Sequence, residues 1–243
     1  TESISGRIYE LDADLKLNPA IDTKAVEEVE EVTRIPKGIL ETDAASAIYR
    51  DERGMRWRLP KSDSSYADLS AGGVVRLDRE VCTERDLLNC HGTFYELPAE
   101  NAGGIAKVRP IATHGLKIQD YCSYRGLLVM TGIDGGRGNP HILRSNDGQA
   151  NVWVGVVDDL WRLGKPRGQG GPWFHSSVKK MEPSDPYLMT GYDRKRLDLS
   201  NEGNQPAKFT LEADVTGEGK WVVVKEFVLK PQESARHEFP CLL

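Results

Sequence analysis

Alternation rather than helical spacing dominates the hydrophobic pattern of this chain. Over residues 207–215 apolar and polar positions take turns, the spacing of a strand with one buried face. Thr216-Gly217-Glu218-Gly219 then turns the chain, residues 221–229 return, and residues 235–239 add an edge. The same grammar recurs earlier. Residues 47–50 and 55–59 flank the turn Asp51-Glu52-Arg53-Gly54. Residues 127–133 form a continuous apolar strand of the buried kind. Residues 141–144 and 150–157 flank Ser145-Asn146-Asp147-Gly148, whose Asp-Gly pair is a strong turn signal. Residues 158–164, 187–192 and 196–199 read as further short strands. One segment departs from this pattern. Within residues 22–33, Ala25, Val26, Val29 and Val32 share a helical face, Asp22 is placed to cap it, and Pro36 with Gly38 would close it. This short helix belongs to an N-terminal extension over residues 1–45.

Hairpins recur roughly every 40–50 residues, the period of four-stranded propeller blades. The expected fold is therefore all-β: one propeller-like domain over residues 1–243, with about five to seven blades in the full set. A β-sandwich is the alternative, which the C-terminal strands alone would also fit. Residues 163–183 stand apart, rich in Gly and Pro and carrying Trp173, His175 and three lysines. A long loop without regular structure inside a compact domain usually carries function. In a propeller it would lie over the mouth of the central cavity.

A chain of 243 residues can bury a full core. Its formal charge of −5 is built from interspersed acids and bases, so no basic tract points to nucleic acid or an anionic membrane surface. The mean hydropathy of −0.49 and the lack of a long apolar run exclude a helical membrane span. The chain opens on Thr1, so a missing leader says nothing about compartment. The cysteines are Cys82, Cys90, Cys122 and Cys241, with no CxxC pair. A structural zinc site is not expected, and buried free thiols are the ordinary reading. If the protein is exported, a Cys82–Cys122 or Cys90–Cys122 disulfide could form.

Candidate chemistry gathers in two stretches. Asn89-Cys90-His91-Gly92-Thr93-Phe94-Tyr95-Glu96-Leu97-Pro98-Ala99-Glu100-Asn101 packs an imidazole, a phenol, two carboxylates and amide groups into thirteen residues. His114-Gly115 and Tyr121-Cys122-Ser123-Tyr124-Arg125-Gly126 repeat that composition. Convergence of such loops on one cavity would suit a hydroxyl-rich or anionic ligand. Arg85, Arg125 and Arg144 flank these groups, and a guanidinium matches a carboxylate bidentately. An acidic sugar such as a uronate is the expected partner. Arginine would neutralise its carboxylate and acidify the adjacent C5 proton, and a histidine or tyrosine would remove that proton in a β-elimination. Hydrolysis would instead need two carboxylates across the bond. Glu84, Glu96, Glu100, Asp120, Asp158 and Asp159 supply candidates without a distinguishing spacing. A non-catalytic glycan-binding module is the third reading. Trp161, Trp173, Tyr187 and Tyr192 could stack on sugar rings, whereas Trp57, Trp153 and Trp221 are expected in the core. His237 reads as structural. No cofactor is indicated. Zinc would need several isolated histidines to meet, and the Asn146-Asp147 turn lacks the remaining ligands of a calcium loop. There is no nucleophile elbow and no P-loop.

Two long segments add a resemblance. Residues 82–133 (CTERDLLNCHGTFYELPAENAGGIAKVRPIATHGLKIQDYCSYRGLLVMTGI) and residues 139–199 (with HILRSNDGQANVWVGVVDDLWRLGKPRG and EPSDPYLMTGYDRKRLDL) are similar to a largely uncharacterised family from polysaccharide-degrading bacteria. That family resembles propeller-fold lyases that release L-rhamnose from α-1,4-linked glucuronate in gum-type glycans. The resemblance implies a propeller, incomplete in this chain, and a periplasmic or secreted location. It makes His91, His114 and Tyr124 the catalytic candidates. The substrate-binding candidates are Arg85, Tyr95, Arg125, His141, Arg144, Trp173 and His175.

Overall fold

A computed structural model of the chain describes residues 9–20, 40–62, 78–82, 85–116, 118–133 and 138–240. The expected helix over residues 22–33 lies outside them. The described residues form several small antiparallel sheets, and the chain is all-β. No helix among them is long and apolar enough to cross a membrane.

Four sheets stack in a row. The first pairs β1 (Tyr9–Leu11) with β2 (Leu17–Pro19). The second orders β3 (Leu40–Thr42), β4 (Ala47–Arg50) and β5 (Arg56–Leu59). The third is a four-stranded meander of β6 (Asp78–Cys82), β7 (Arg85–Cys90), β8 (Thr93–Pro98) and β9 (Arg109–Thr113). The fourth contains β10 (Tyr121–Tyr124), β11 (Leu127–Met130), β12 (Ile142–Arg144) and β13 (Asn151–Gly155), in the order β10-β11-β13-β12. A plain meander would seat β12 beside β11; here β13 takes that place.

Side-chain alternation along β7 and β8 explains the stacking. Leu87 and Phe94 face the fourth sheet, where Tyr121, Leu128, Met130 and Trp153 complete one core. Leu88, Cys90, Tyr95 and Leu97 face the opposite way and meet Ala47 and Leu59 of the second sheet. The fourth sheet is two-faced as well, since Val129 and Val152 pack on Leu17 of β2. A strand buried on both faces reads as an apolar run rather than an alternation, which is why residues 127–133 carry that pattern. The Tyr121 hydroxyl donates to the Leu87 carbonyl and ties two sheets together.

The expected hairpins at residues 47–59 and 141–157 form with their turns in place. Residues 158–164 do not extend β13; Val157–Arg162 is a 3-10 helix. The Asp159 carboxylate accepts the Val156 N–H at 2.9 Å, so the acids that look like a strand end cap a helical turn. Leu160 anchors it, fully buried in the core between the third and fourth sheets. Residues 187–192 make only an isolated bridge, Tyr187 to Arg58.

The C-terminal residues build two more pairs. β15 (Ala207–Ala213) and β16 (Val222–Leu229) form the expected hairpin. Its turn is held by the Asp214 carboxylate, which accepts N–H groups from Thr216, Gly217 and Gly219. β17 (Ser234–Glu238) does not add to that hairpin but pairs with β14 (Arg196–Ser200). Trp221 is 47% exposed and so is not the core residue expected. Trp153 is buried, and Trp57 is half-buried with its indole N–H on the Asp51 carboxylate at 2.9 Å.

Residues 163–195 run across the second and third sheets as a strap. Lys61 and Gln169 exchange two backbone hydrogen bonds of 2.9 Å, and Gly171 N–H reaches the Ala45 carbonyl. Arg58 N–H donates to the Pro186 carbonyl at 2.8 Å, and Leu188 N–H to the Arg58 carbonyl at 2.9 Å. Close approach explains the glycines here. At Gly170, with φ +143°, an added Cβ would strike the Ala45 carbonyl oxygen. Gly170→Ala should therefore cost upward of about 1 kcal/mol, read as a lower melting temperature. An unchanged value would mean the strap is not seated against Ala45.

Candidate functional site

The strap borders an open cleft of about 3740 Å³ between the stacked sheets and the C-terminal strand pairs. On the sheet side it is lined by Trp57, Lys61, His91 and Thr113, and on the far side by residues of β14 to β16. Thr113 is an anchor point for the strap. Its hydroxyl accepts the Arg167 N–H at 2.9 Å and donates to the Arg167 carbonyl at 3.0 Å. The Thr93 hydroxyl completes the chain at 2.9 Å. A second anchor is the buried Arg58 guanidinium, with Nη1 on Asp43 and Ser46 at 2.8 Å and Nε on Asp185 at 2.9 Å.

The cleft combines aromatic and cationic surface. Trp173 and Phe174 are exposed on the strap, and Tyr187 and Tyr192 line the wall. Burial pushes the Tyr192 phenol up to about 12 and the Tyr95 and Tyr187 phenols higher still. These hydroxyls are therefore neutral donors at any physiological pH. Among the cations, Lys165 is matched by Asp193 at 2.8 Å and Lys179 by Glu182 at 3.4 Å. Arg167 and Lys180 also line the cleft with no carboxylate within ion-pair distance among the described residues, whereas the nearby charge of Arg194 adds to that of Lys165 in holding the Asp193 carboxyl below its usual range.

On the same lining, His175 Nδ1 lies 2.7 Å from Glu202 Oε1. His175 has φ +47°, a left-handed conformation that is rare without glycine. The Ser176 hydroxyl clips that corner, accepting the Phe174 N–H and donating to the Phe174 carbonyl, each at 3.1 Å.

The structure brings three of the sequence candidates to this cleft: His91, Trp173 and His175. It separates the others, apart from Arg85, whose side chain lies outside the described residues. Tyr95 has no exposed surface, and its hydroxyl meets that of Tyr192 at 3.3 Å. It is a core residue, not one that touches a ligand. His114 is 4% exposed and both ring nitrogens are engaged. Nδ1 accepts the Leu116 N–H at 3.3 Å, which leaves the proton on Nε2 to donate to Asn89 Oδ1 at 3.0 Å. Burial lowers its pKa to about 4, so the acid/base role expected of it gives way to a structural one. Tyr124 and Arg125 lie at the β10–β11 corner, the guanidinium 5.8 Å from the Tyr124 ring centre and reaching toward the Ala13 carbonyl of the first sheet. His141 stacks on Trp153 at 4.8 Å and donates from Nδ1 to the Val154 carbonyl at 2.9 Å. Arg144 ends β12, and Arg85 opens β7.

The likeness of the two polar stretches has a backbone cause. His91-Gly92 and Arg125-Gly126 each occupy a two-residue hairpin corner with positive φ at both positions. That is the signature of primed turns, which match the twist of the flanking strands. His91 is 2% exposed, and its carbonyl accepts the Ser62 hydroxyl.

Cys90 is a buried free thiol, its pKa raised to about 12 by burial, so no Cys90–Cys122 bond forms. The Cys82 side chain lies outside the described residues. No three His, Cys, Asp or Glu among the described residues gather as a metal site. Sequence reasoning missed Glu202, Lys180 and Arg194; Glu202 sits in Ser200-Asn201-Glu202-Gly203, which signals only a turn. Comparison with family models, curated proteins and solved structures finds no match to the chain.

Proposed function

We propose that the cleft binds an acidic glycan and that the protein cleaves it by β-elimination at a uronate. The observation that carries the reading is that Arg167 and Lys180, with no ion-pair partner among the described residues, share a cleft lining with the exposed Trp173 and Phe174 in a chain of net charge −5. Cations held without counter-charges favour an anionic ligand, and aromatic faces favour sugar rings. The resemblance of residues 82–133 and 139–199 to a family that is itself similar to rhamnose–glucuronate lyases supports the same substrate class. Three sheets that begin at residues 40, 78 and 121, stacked face to face, support a propeller as the scaffold. A substrate of this kind supports a periplasmic or secreted location.

The test is incubation with a gum-type rhamnose–glucuronate glycan. Unsaturated product absorbing in the ultraviolet supports elimination. New reducing ends without that absorbance point to hydrolysis, and binding without product to a glycan-binding module. Arg167→Ala combined with Lys180→Ala should raise the Kd for the acidic oligosaccharide about tenfold or more, with an effect that shrinks as salt rises. No binding by the parent chain would overturn the reading.

A further inference from the structure

We propose that His175 is the base that removes the C5 proton, with Glu202 as its positioning residue. This inference rests on the lyase reading above.

Three observations carry it. First, the 2.7 Å contact from Glu202 Oε1 to His175 Nδ1 fixes one tautomer. Nδ1 holds the proton that it donates to the carboxylate, so the Nε2 lone pair is left for chemistry. The imidazole is exposed and borders the cleft, so Nε2 is within reach of a bound ligand. Second, the carboxylate stands on a rigid corner. The neighbouring Asn201 is buried, and its amide N–H groups donate to the carbonyls of Gln205 at 2.8 Å, Leu229 at 3.2 Å and Lys230 at 3.1 Å. Its Oδ1 accepts the Gly203 N–H at 3.1 Å, and Gln232 Nε2 donates to the Glu202 carbonyl at 2.8 Å. Third, the other partner is held in a strained conformation. The left-handed backbone of His175 costs roughly 1–2 kcal/mol for a non-glycine residue and persists because the Ser176 clip and the Glu202 contact over-determine it. Both side chains are largely exposed; the His175 ring rests edge-on against Phe174 at 4.4 Å and meets the Glu202 carboxylate through Nδ1, so the imidazole is held in place while still open to the cleft.

The step balances within one residue and the substrate. Nε2 takes the C5 proton, the C5–H electron pair becomes the C4–C5 double bond, and the C4–O4 bond breaks with its pair going to oxygen. The imidazolium then passes its proton from Nε2 to that oxygen. Arg167 and Lys180 of the cleft stabilise the carboxylate through which the negative charge spreads.

The experiment follows unsaturated product from a rhamnose–glucuronate oligosaccharide for the parent chain, His175→Asn, His175→Ala, Glu202→Gln and Glu202→Asp. Asparagine tolerates the left-handed backbone, so His175→Asn keeps the fold. It should lower kcat by about 10²- to 10⁴-fold while leaving substrate affinity unchanged. Added imidazole should restore part of the His175→Ala rate. Glu202→Gln should lower kcat by a smaller factor without moving KM, and Glu202→Asp should regain part of the loss. Parent-level kcat in His175→Asn would overturn this inference and leave the lyase reading standing. Absence of unsaturated product from the parent chain would overturn both.

Discussion

Phe94→Ala is expected to lower the unfolding free energy by about 3–5 kcal/mol. Phe94 has no exposed surface. Its ring meets Tyr121 edge-on at 5.6 Å and the His114 ring at 4.8 Å. It lies in the core shared by the third and fourth sheets, beside Leu87, Leu128 and Met130. Truncation would remove apolar burial and leave a hole that rigid strands on both sides cannot close. Denaturant titration followed by circular dichroism measures the loss, and Phe94→Leu should recover part of it. A change under about 1 kcal/mol would mean that the two sheets do not share a packed interior.

The second large effect is a pH dependence set by His114. In the folded chain burial holds its pKa at about 4, against 6.5 for an ordinary histidine. Between these values the unfolded chain binds a proton that the folded chain does not, so stability rises with pH. The full contribution is present above pH 6.5 and is lost as pH falls toward 4, with a span on the order of 3 kcal/mol. His114→Asn should flatten that limb of the stability profile; an unchanged slope would assign it elsewhere. Asp43 does not confuse the measurement. Burial raises its carboxyl, but hydrogen bonds from Arg58 and from the Ser46 and Ala45 N–H groups outweigh it and hold the pKa below 3.8. Its contribution is therefore lost only at lower pH.

How far the sequence could be read depends on the range of the cause. Hairpins were legible where the turn chemistry is local, as at Asp51 to Gly54 and Asp147-Gly148. The 3-10 helix at Val157–Arg162 was not, because Asp158 and Asp159 look alike at a strand end and at a helix cap. The choice falls to Leu160, whose burial depends on sheets far away in the chain. β17 left the C-terminal hairpin for β14 because sheet order is a non-local property that alternation does not encode. The polar stretches misled for another reason. His91-Gly92 and Arg125-Gly126 resemble each other because both meet the dihedral demands of tight corners, so shared composition reflected backbone geometry rather than one shared cavity. Within the site, His175 and Trp173 were legible from the glycine- and proline-rich stretch around them. Glu202 was not, since it reaches His175 only through the fold of a separate turn.

The two-faced burial of β7 and β8 has a consequence for how the molecule comes apart. Leu87 and Phe94 belong to one core, and Leu88 and Tyr95 to the next, so neither core can open without stripping the same two strands. Val129 and Trp153 link the fourth sheet in the same way to the layers on its two sides. Layers coupled like this do not peel off singly; they form one cooperative foldon. The β14–β17 and β15–β16 pairs lie outside all three of those cores and are expected to open before them. One flank of the cleft is thus tied to global unfolding, and the other to sub-global opening that leaves the stack intact.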